Sequence, residues 1–218
     1  EEMLALNREL RSLLAANRAV IESDRFSQAA EAICRICQEQ TGAAVGYVAL
    51  RRSAEEDEIL FSNPAQVAES PHSAESMPIT GLRADAYRRN QTVFVNDIQP
   101  GQSADFGPAV ELRVHNAMLV PIALDGRVEG LIGLADKDGG FDEVDAWRAQ
   151  ALGEVAALSL ERSRHLDALE TSETLHRQAQ EVAHVGHWAL DSPEGTPSFT
   201  DEVFRIFGLD PQQAPPSF

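Results

Sequence analysis

The chain has only two cysteines, Cys34 and Cys37, standing in a C-x-x-C spacing within AEAICRICQEQTG, residues 30–42. Three chemistries use that spacing, and each needs more than the spacing alone. A closed zinc site takes four ligands, and no second C-x-x-C or paired-histidine motif accompanies this one. Covalent c-type haem attachment needs a histidine straight after the second cysteine, and Gln38 stands there. Thiol–disulfide exchange favours a first cysteine at a helix N-terminus, where the helix dipole lowers its pKa, whereas both thiols here fall in mid-helix. The remaining reading is that they fill a core as small apolar side chains.

The elements that position them follow from periodicity. After Ser23 and Asp24, a pair suited to cap a helix, the apolar residues Phe26, Ala29, Ala30, Ile33, Ile36 and Cys37 form one stripe of a helix over about 26–40, ended at Gly42. AAVGYVAL (43–50) and EILFS (58–62) read as strands joined by the acidic turn RRSAEEDE, and the polar, proline-bearing stretch 63–79 reads as a long loop. A short helix over 80–91 and a strand over 92–98 follow, then a weakly periodic segment with room for a short helix near 108–114. AMLVPIAL (117–124) and VEGLIGLAD (128–136) flank Asp125-Gly126, a strong hairpin signal. From Asp142 a helix runs to about Ala183, its second half too polar for a core. The sum is an α+β fold: an antiparallel sheet with helices packed on one face.

The ends add a dimer expectation. Met3, Leu6, Leu10, Leu13 and Val20 fall at 3–4 spacing on one helix seam with Asn17, which a facing Asn would satisfy; the competing reading is an amphipathic helix lying on its own domain. Composition bounds the rest. The 218 residues are 43% hydrophobic and 24% charged, enough for one good core plus something smaller. Thirty-five acidic against 18 basic residues leave a net charge of −17, a field that repels nucleic acid and anionic membrane. No apolar run is long enough to cross a bilayer and no leader pattern opens the chain, so a cytoplasmic location is expected. The chain opens Glu-Glu and stops at APPSF, which reads as a piece of a longer polypeptide.

RVHNAMLVPIALDGRVEGLIGLADKDGGFDEVDAWRAQALGEVAALSLERS (113–163), with its VPI strand, DG hairpin, GLIGL strand and F-x-x-x-D helix start, resembles the end of a GAF domain. FSQAAEAICRICQEQTGAAVGYVAL resembles the same family's first helix and strand. AQEVAHVGHWALDSPEGTPSFTDEVFRIFGLDP (179–211) looks like the start of a PAS domain, lacking about three of its strands. The expected organisation is a dimerising helix at 1–23, a GAF domain at 24–163, a helical linker at 164–183 and an incomplete PAS domain at 184–218. The resemblance implies a non-enzymatic sensory module, as in bacterial sensor histidine kinases of two-component systems, homodimeric through its terminal helices and relaying to downstream PAS or kinase domains. His165, in RHLDALE, lacks the proline and basic residue of a kinase phosphoacceptor box.

The family also implies a pocket between the sheet and the loops connecting residues 92 and 117, without naming a ligand. The residues expected to line it are Tyr47, Arg83, Tyr87, Phe94, Asn96, Asp97, Phe106, His115 and Met118. Against this stand plain readings: aromatic and Met side chains as core, and Arg83, Arg88 and Arg89 as a solvated face. No cofactor is indicated by motif. Haem is one candidate, with His72 and His115 as possible ligands. Lys137, Phe141 and Asp145 match part of the cyclic-nucleotide GAF signature, but Asp136 and Ala146 depart from it, and a helix cap at Asp142 with a Lys137–Asp145 pair accounts for the same residues. NDIQP (96–100) echoes a phytochrome turn without the attachment cysteine. The alternatives are a ligand-free GAF acting as a dimerising spacer, and a small redox enzyme such as a free methionine sulfoxide reductase, whose pocket-loop cysteines are missing here.

Overall fold

The computed structural model describes residues 14–16, 18, 23, 25–63, 77–99, 114–191 and 196–210. The seam residues Met3, Leu6, Leu10, Leu13, Asn17 and Val20, together with Phe106 and His72, lie outside them. The chain divides into two units, residues 1–164 and 165–218.

In the first unit the elements run α1 (Phe26–Thr41), β1 (Ala43–Arg51), β2 (Glu56–Asn63), β3 (Met77–Pro78), α2 (Gly81–Arg89), β4 (Val93–Val95), β5 (Ala117–Leu124), β6 (Arg127–Lys137) and the start of α3 (Glu143–Ala183). The strands form one sheet in the order β3-β2-β1-β6-β5-β4, every pair antiparallel. Asp125 and Gly126 turn β5 into β6 with φ of 49° and 78°, the left-handed pair that a two-residue hairpin needs. Gly42 closes α1 in the left-handed conformation at φ 78°, donating its N–H to the Gln38 carbonyl.

Strand alternation sends side chains to two separate cores. One face carries Val48, Met118, Val120, Ile122, Ile132 and Leu134 against α1 and the first half of α3. The other carries Val45, Tyr47, Ala49, Leu119, Leu131 and Ala135 against Ala86, Leu82 and Tyr87 of α2. Helices therefore cover both faces, not one as periodicity alone led us to expect. α2 is too short and polar to announce that burial. Within α1, Cys34 is fully buried alongside Cys37, while Ile36 is half-buried at the margin of the same core.

Two boundaries depart from the sequence reading. The predicted loop 63–79 contains β3, whose Met77 pairs with Asp57. The strand predicted over 92–98 stops at Val95, because the Asn96 side chain turns to hydrogen-bond Phe141 and Asp97 adopts a φ of 61°. That Asn96 amide takes the Phe141 N–H at 2.9 Å and donates to its carbonyl at 3.0 Å, and Asn116 holds the Lys137 backbone the same way, with both bonds at 2.9 Å. The β6–α3 connection ends in a reciprocal cap: Asp142 and Asp145 each accept the other's backbone N–H, at 2.9 and 3.0 Å. Lys137 pairs with Asp145 across the junction, as the sequence implied.

In the second unit, the chain leaves α3 through His184 at φ 51°, with the Val185 N–H bonded to the Gln180 carbonyl. β7 (Trp188–Asp191) and β8 (Thr196–Phe199) form a two-stranded antiparallel sheet, and α4 (Asp201–Phe207) follows. His187 and Thr200 exchange hydrogen bonds at 3.0 Å, and the Phe199 and Phe204 rings meet edge to face at 5.6 Å.

Candidate functional site

On the α2 side of the sheet, three polar side chains meet inside an apolar surround. Arg83 is brought in by the first turn of α2, Tyr87 stands one turn later on the same helix face, and Asp57 comes from β2. An Arg83 guanidinium N–H donates to one Asp57 oxygen at 2.7 Å and to the Met77 carbonyl at 3.1 Å; the Tyr87 hydroxyl donates to the other Asp57 oxygen at 2.6 Å. Both charged side chains are almost completely excluded from solvent, 2% and 1% exposed. Such a pair survives burial only because its hydrogen bonds replace water, and removal of either partner strands the other charge.

One donor is left over. The Nε of Arg83 is buried and has no hydrogen-bond partner among the described residues. A buried N–H without an acceptor costs about 1–3 kcal/mol, so a group able to accept it is stabilised there. Tyr47, fully buried in β1, lies within the field of the pair: burial holds its hydroxyl well above the ordinary range, the Arg83 cation opposes that rise and the Asp57 carboxylate adds to it. The Tyr87 hydroxyl is driven up chiefly by burial, then by the Asp57 charge and its hydrogen bond to Asp57. The Arg51 guanidinium stacks over the Tyr87 ring at 5.0 Å. Tyr47 itself needs Gly133 opposite it, because a Cβ there would come within 2.1 Å of the ring.

The nine residues expected to line a pocket thus divide. Tyr47, Arg83 and Tyr87 are brought together. Phe94 and Met118 pair across β4 and β5 on the opposite face, in the core under α1 and α3. Asn96 is engaged with Phe141, Asp97 is exposed, and Phe106 lies outside the described residues. His115 is 81% exposed, with its ring nitrogen 3.3 Å from Asp136. Asp57 was missed, having been read into the acidic turn before β2. Its signal is parity, since it falls two residues before Ile59, which faces the same core.

The cysteines sit on the other face. Both are free and fully buried. Burial pushes the Cys34 thiol up to about 12, slightly offset by Arg35, and drives Cys37 well above its ordinary value. That is the environment of inert structural thiols. Among the described residues no three His, Cys, Asp or Glu side chains gather to hold a metal ion, and no helix is long and apolar enough to cross a membrane.

No curated protein matches the chain. Among solved structures, the GAF domain of an Acinetobacter phosphoenolpyruvate-protein phosphotransferase is similar at 14% identity and a TM-score of 0.61, covering 73% of this chain and 96% of that one. A free methionine-R-sulfoxide reductase from Neisseria meningitidis in complex with its substrate is similar at 18% identity and a TM-score of 0.57, covering 72% and 90%. Residues 122 to 287 of a methyl-accepting chemotaxis protein are similar at 12% identity and a TM-score of 0.58, covering 70% and 99%. At these identities the likeness is one of fold. The family model for the GAF domain matches residues 23–161, well over half of the chain, and the two-faced antiparallel sheet agrees with it: this chain belongs to the GAF family.

Proposed function

We propose that this chain is a sensory module of a signal-transduction protein, in which the α2 face of the sheet takes a small ligand and α3 carries the response toward a following PAS-type domain. The observation that carries the reading is the buried, unpartnered Nε of Arg83, set beside Tyr47 and Tyr87. Asp57 already neutralises the guanidinium, so the open donor suits a neutral oxygen or nitrogen acceptor better than a second anion. A relay is mechanically sensible because the face that ends in β6 leads into α3 through the clamped 137–142 connection. The order of β7, β8 and α4 supports the PAS reading of the tail. Homodimerisation through the terminal helices belongs to the same proposal.

A second reading, a ligand-free dimerising spacer, draws support from the same triangle: Asp57 accepts from both Arg83 and Tyr87, so the cluster also clamps α2 to the sheet edge. The sulfoxide-reductase reading is disfavoured, because Cys34 and Cys37 both lie on the opposite face under α1. Native mass spectrometry of freshly purified protein separates the first two. Extra mass that is lost on denaturation supports the sensor; if none is carried, and a chemically diverse metabolite library raises the Tm of neither the wild type nor Arg83→Lys, the spacer reading stands.

A further inference from the structure

Among the described residues, α1, α2 and α4 each end on a residue that takes the left-handed conformation readily: Gly42, Asn90 and Gly208. α3 ends on His184, at φ 51°, where a glycine would avoid the strain. The side chain explains the exception. Its Nδ1 lies 3.1 Å from Oε1 of Glu202, a carboxylate only 3% exposed in the first turn of α4, whereas the imidazole is 80% exposed. The residues that follow hold the same segment against α4. Gly186 lies so close to Val203 that a Cβ would come within 2.4 Å of the valine side chain, and His187 exchanges hydrogen bonds with Thr200 through its N–H and carbonyl. Residues 184–187 are therefore fastened to residues 200–203 at three points, of which the first alone can titrate.

The other charged group on Glu202 is Arg205, which donates to its Oε2. Arg205 keeps its charge at every working pH, so the buried carboxylate holds one cation whatever the imidazole does, and α4 stays compensated. His184 adds a second, conditional one. A neutral imidazole keeps the bond only while its single proton sits on Nδ1; a protonated one always has a donor there and sets a full charge against the carboxylate. Of the other described histidines at this end of α3, His176 lies against Gln180 on the helix and His187 is exposed beyond it. We infer that His184 and Glu202 form a pH-sensitive latch on the exit of α3, closed while the imidazole is protonated and loosened as the pH rises through the range in which histidines titrate, about pH 6–7. The closed form favours the protonated ring, so acid strengthens the contact and base weakens it. With the latch open, the segment between α3 and β7 loses one of its three fastenings, and a movement of α3 reaches β7, β8 and α4 less directly. The latch does not depend on whether a ligand binds under α2.

Amide hydrogen exchange of the whole chain, followed by NMR and corrected for the intrinsic rate at each pH, tests this at the Val185 N–H, which bonds to the Gln180 carbonyl at 3.1 Å. Its protection is expected to be about fivefold higher at about pH 5.5 than at about pH 8, the size of an ion pair with one exposed partner. His184→Asn, which keeps the left-handed turn and cannot be protonated, should remove that difference, and Glu202→Gln should remove it from the other side. His184 is exposed, so circular dichroism of His184→Asn should match the wild type. His184→Gly should also give a flat profile, with protection at the alkaline end at least equal to that of the wild type, because glycine takes the turn without strain. A pH dependence that persists unchanged in His184→Asn assigns it to His176 or His187 and overturns the latch. A wild-type chain whose Val185 protection is the same at both pH values overturns it as well.

Discussion

The two faces of the sheet solve the same burial problem with different chemistry. Under α1 and α3 the packing is chiefly apolar, its few buried polar side chains, such as Ser163 and Gln38, bonded to nearby groups, and even the two thiols behave as small hydrophobes. Under α2 an ion pair and two phenols are buried as well, which places an open donor in a solvent-excluded setting. The apolar positions under α1 and α3 should accept other apolar side chains of matching volume. The α2 face should not, because each of its polar groups depends on a specific partner.

That contrast can be broken in a graded series. The largest effect concerns thiol reactivity: with the Cys34 pKa near 12, native-state modification by a disulfide reagent at pH 8 should run at least about a thousandfold slower than in the unfolded chain. Fast labelling without unfolding would show that the helix face opens. Next is Asp57→Ala, which leaves Arg83 buried and unpaired; urea denaturation should show a loss of about 3–5 kcal/mol, and Asp57→Leu combined with Arg83→Met should recover much of it. If the single variant costs no more than an exposed substitution, the pair is not buried in solution. Gly133→Ala should cost about 1–3 kcal/mol by forcing the Tyr47 ring to move, and Tyr47→Ala in the same chain should make that change nearly neutral.

The smallest effect lies at neither face but at the junction with α3. The hydrogen bond from the Asp145 backbone, partly countered by desolvation, holds the Asp142 carboxyl below its ordinary value. A depressed folded pKa means the contribution is present above the unfolded value and lost as the pH falls through the folded one. The stability contributed by Asp142 should therefore fade below pH about 4, and Asp142→Asn should shift the urea midpoint slightly at pH 7 and not at all at the acid end. An equal shift at both pH values would mean that the carboxylate charge is irrelevant to the cap.

The hairpin at Asp125-Gly126, the caps at Gly42 and Asp142, the Lys137–Asp145 pair and the span of α3 were legible because each depends on residues close together in sequence. The family resemblance marked Tyr47, and the mid-helix position of the C-x-x-C pair told against redox use. Asp57 was not legible, since its strand begins inside an acid-rich run whose composition reads as a turn, and only pairing with Met77 and Arg83 turns it inward. Phe94 and Met118 carry no mark in sequence of which core they enter.

Local chemistry, then, determined most of the elements of this protein and their order, because capping, turn geometry and periodicity act within a few residues, whereas β3 and the end of β4 are set by partners distant in sequence. Which face each strand presents to which helix, and that Arg83, Asp57 and Tyr87 share one buried site, was decided by tertiary structure alone. Residues 26 and 30 positions apart are joined there through the register of neighbouring strands and the seating of α2, and no interaction along the chain encodes that meeting in advance.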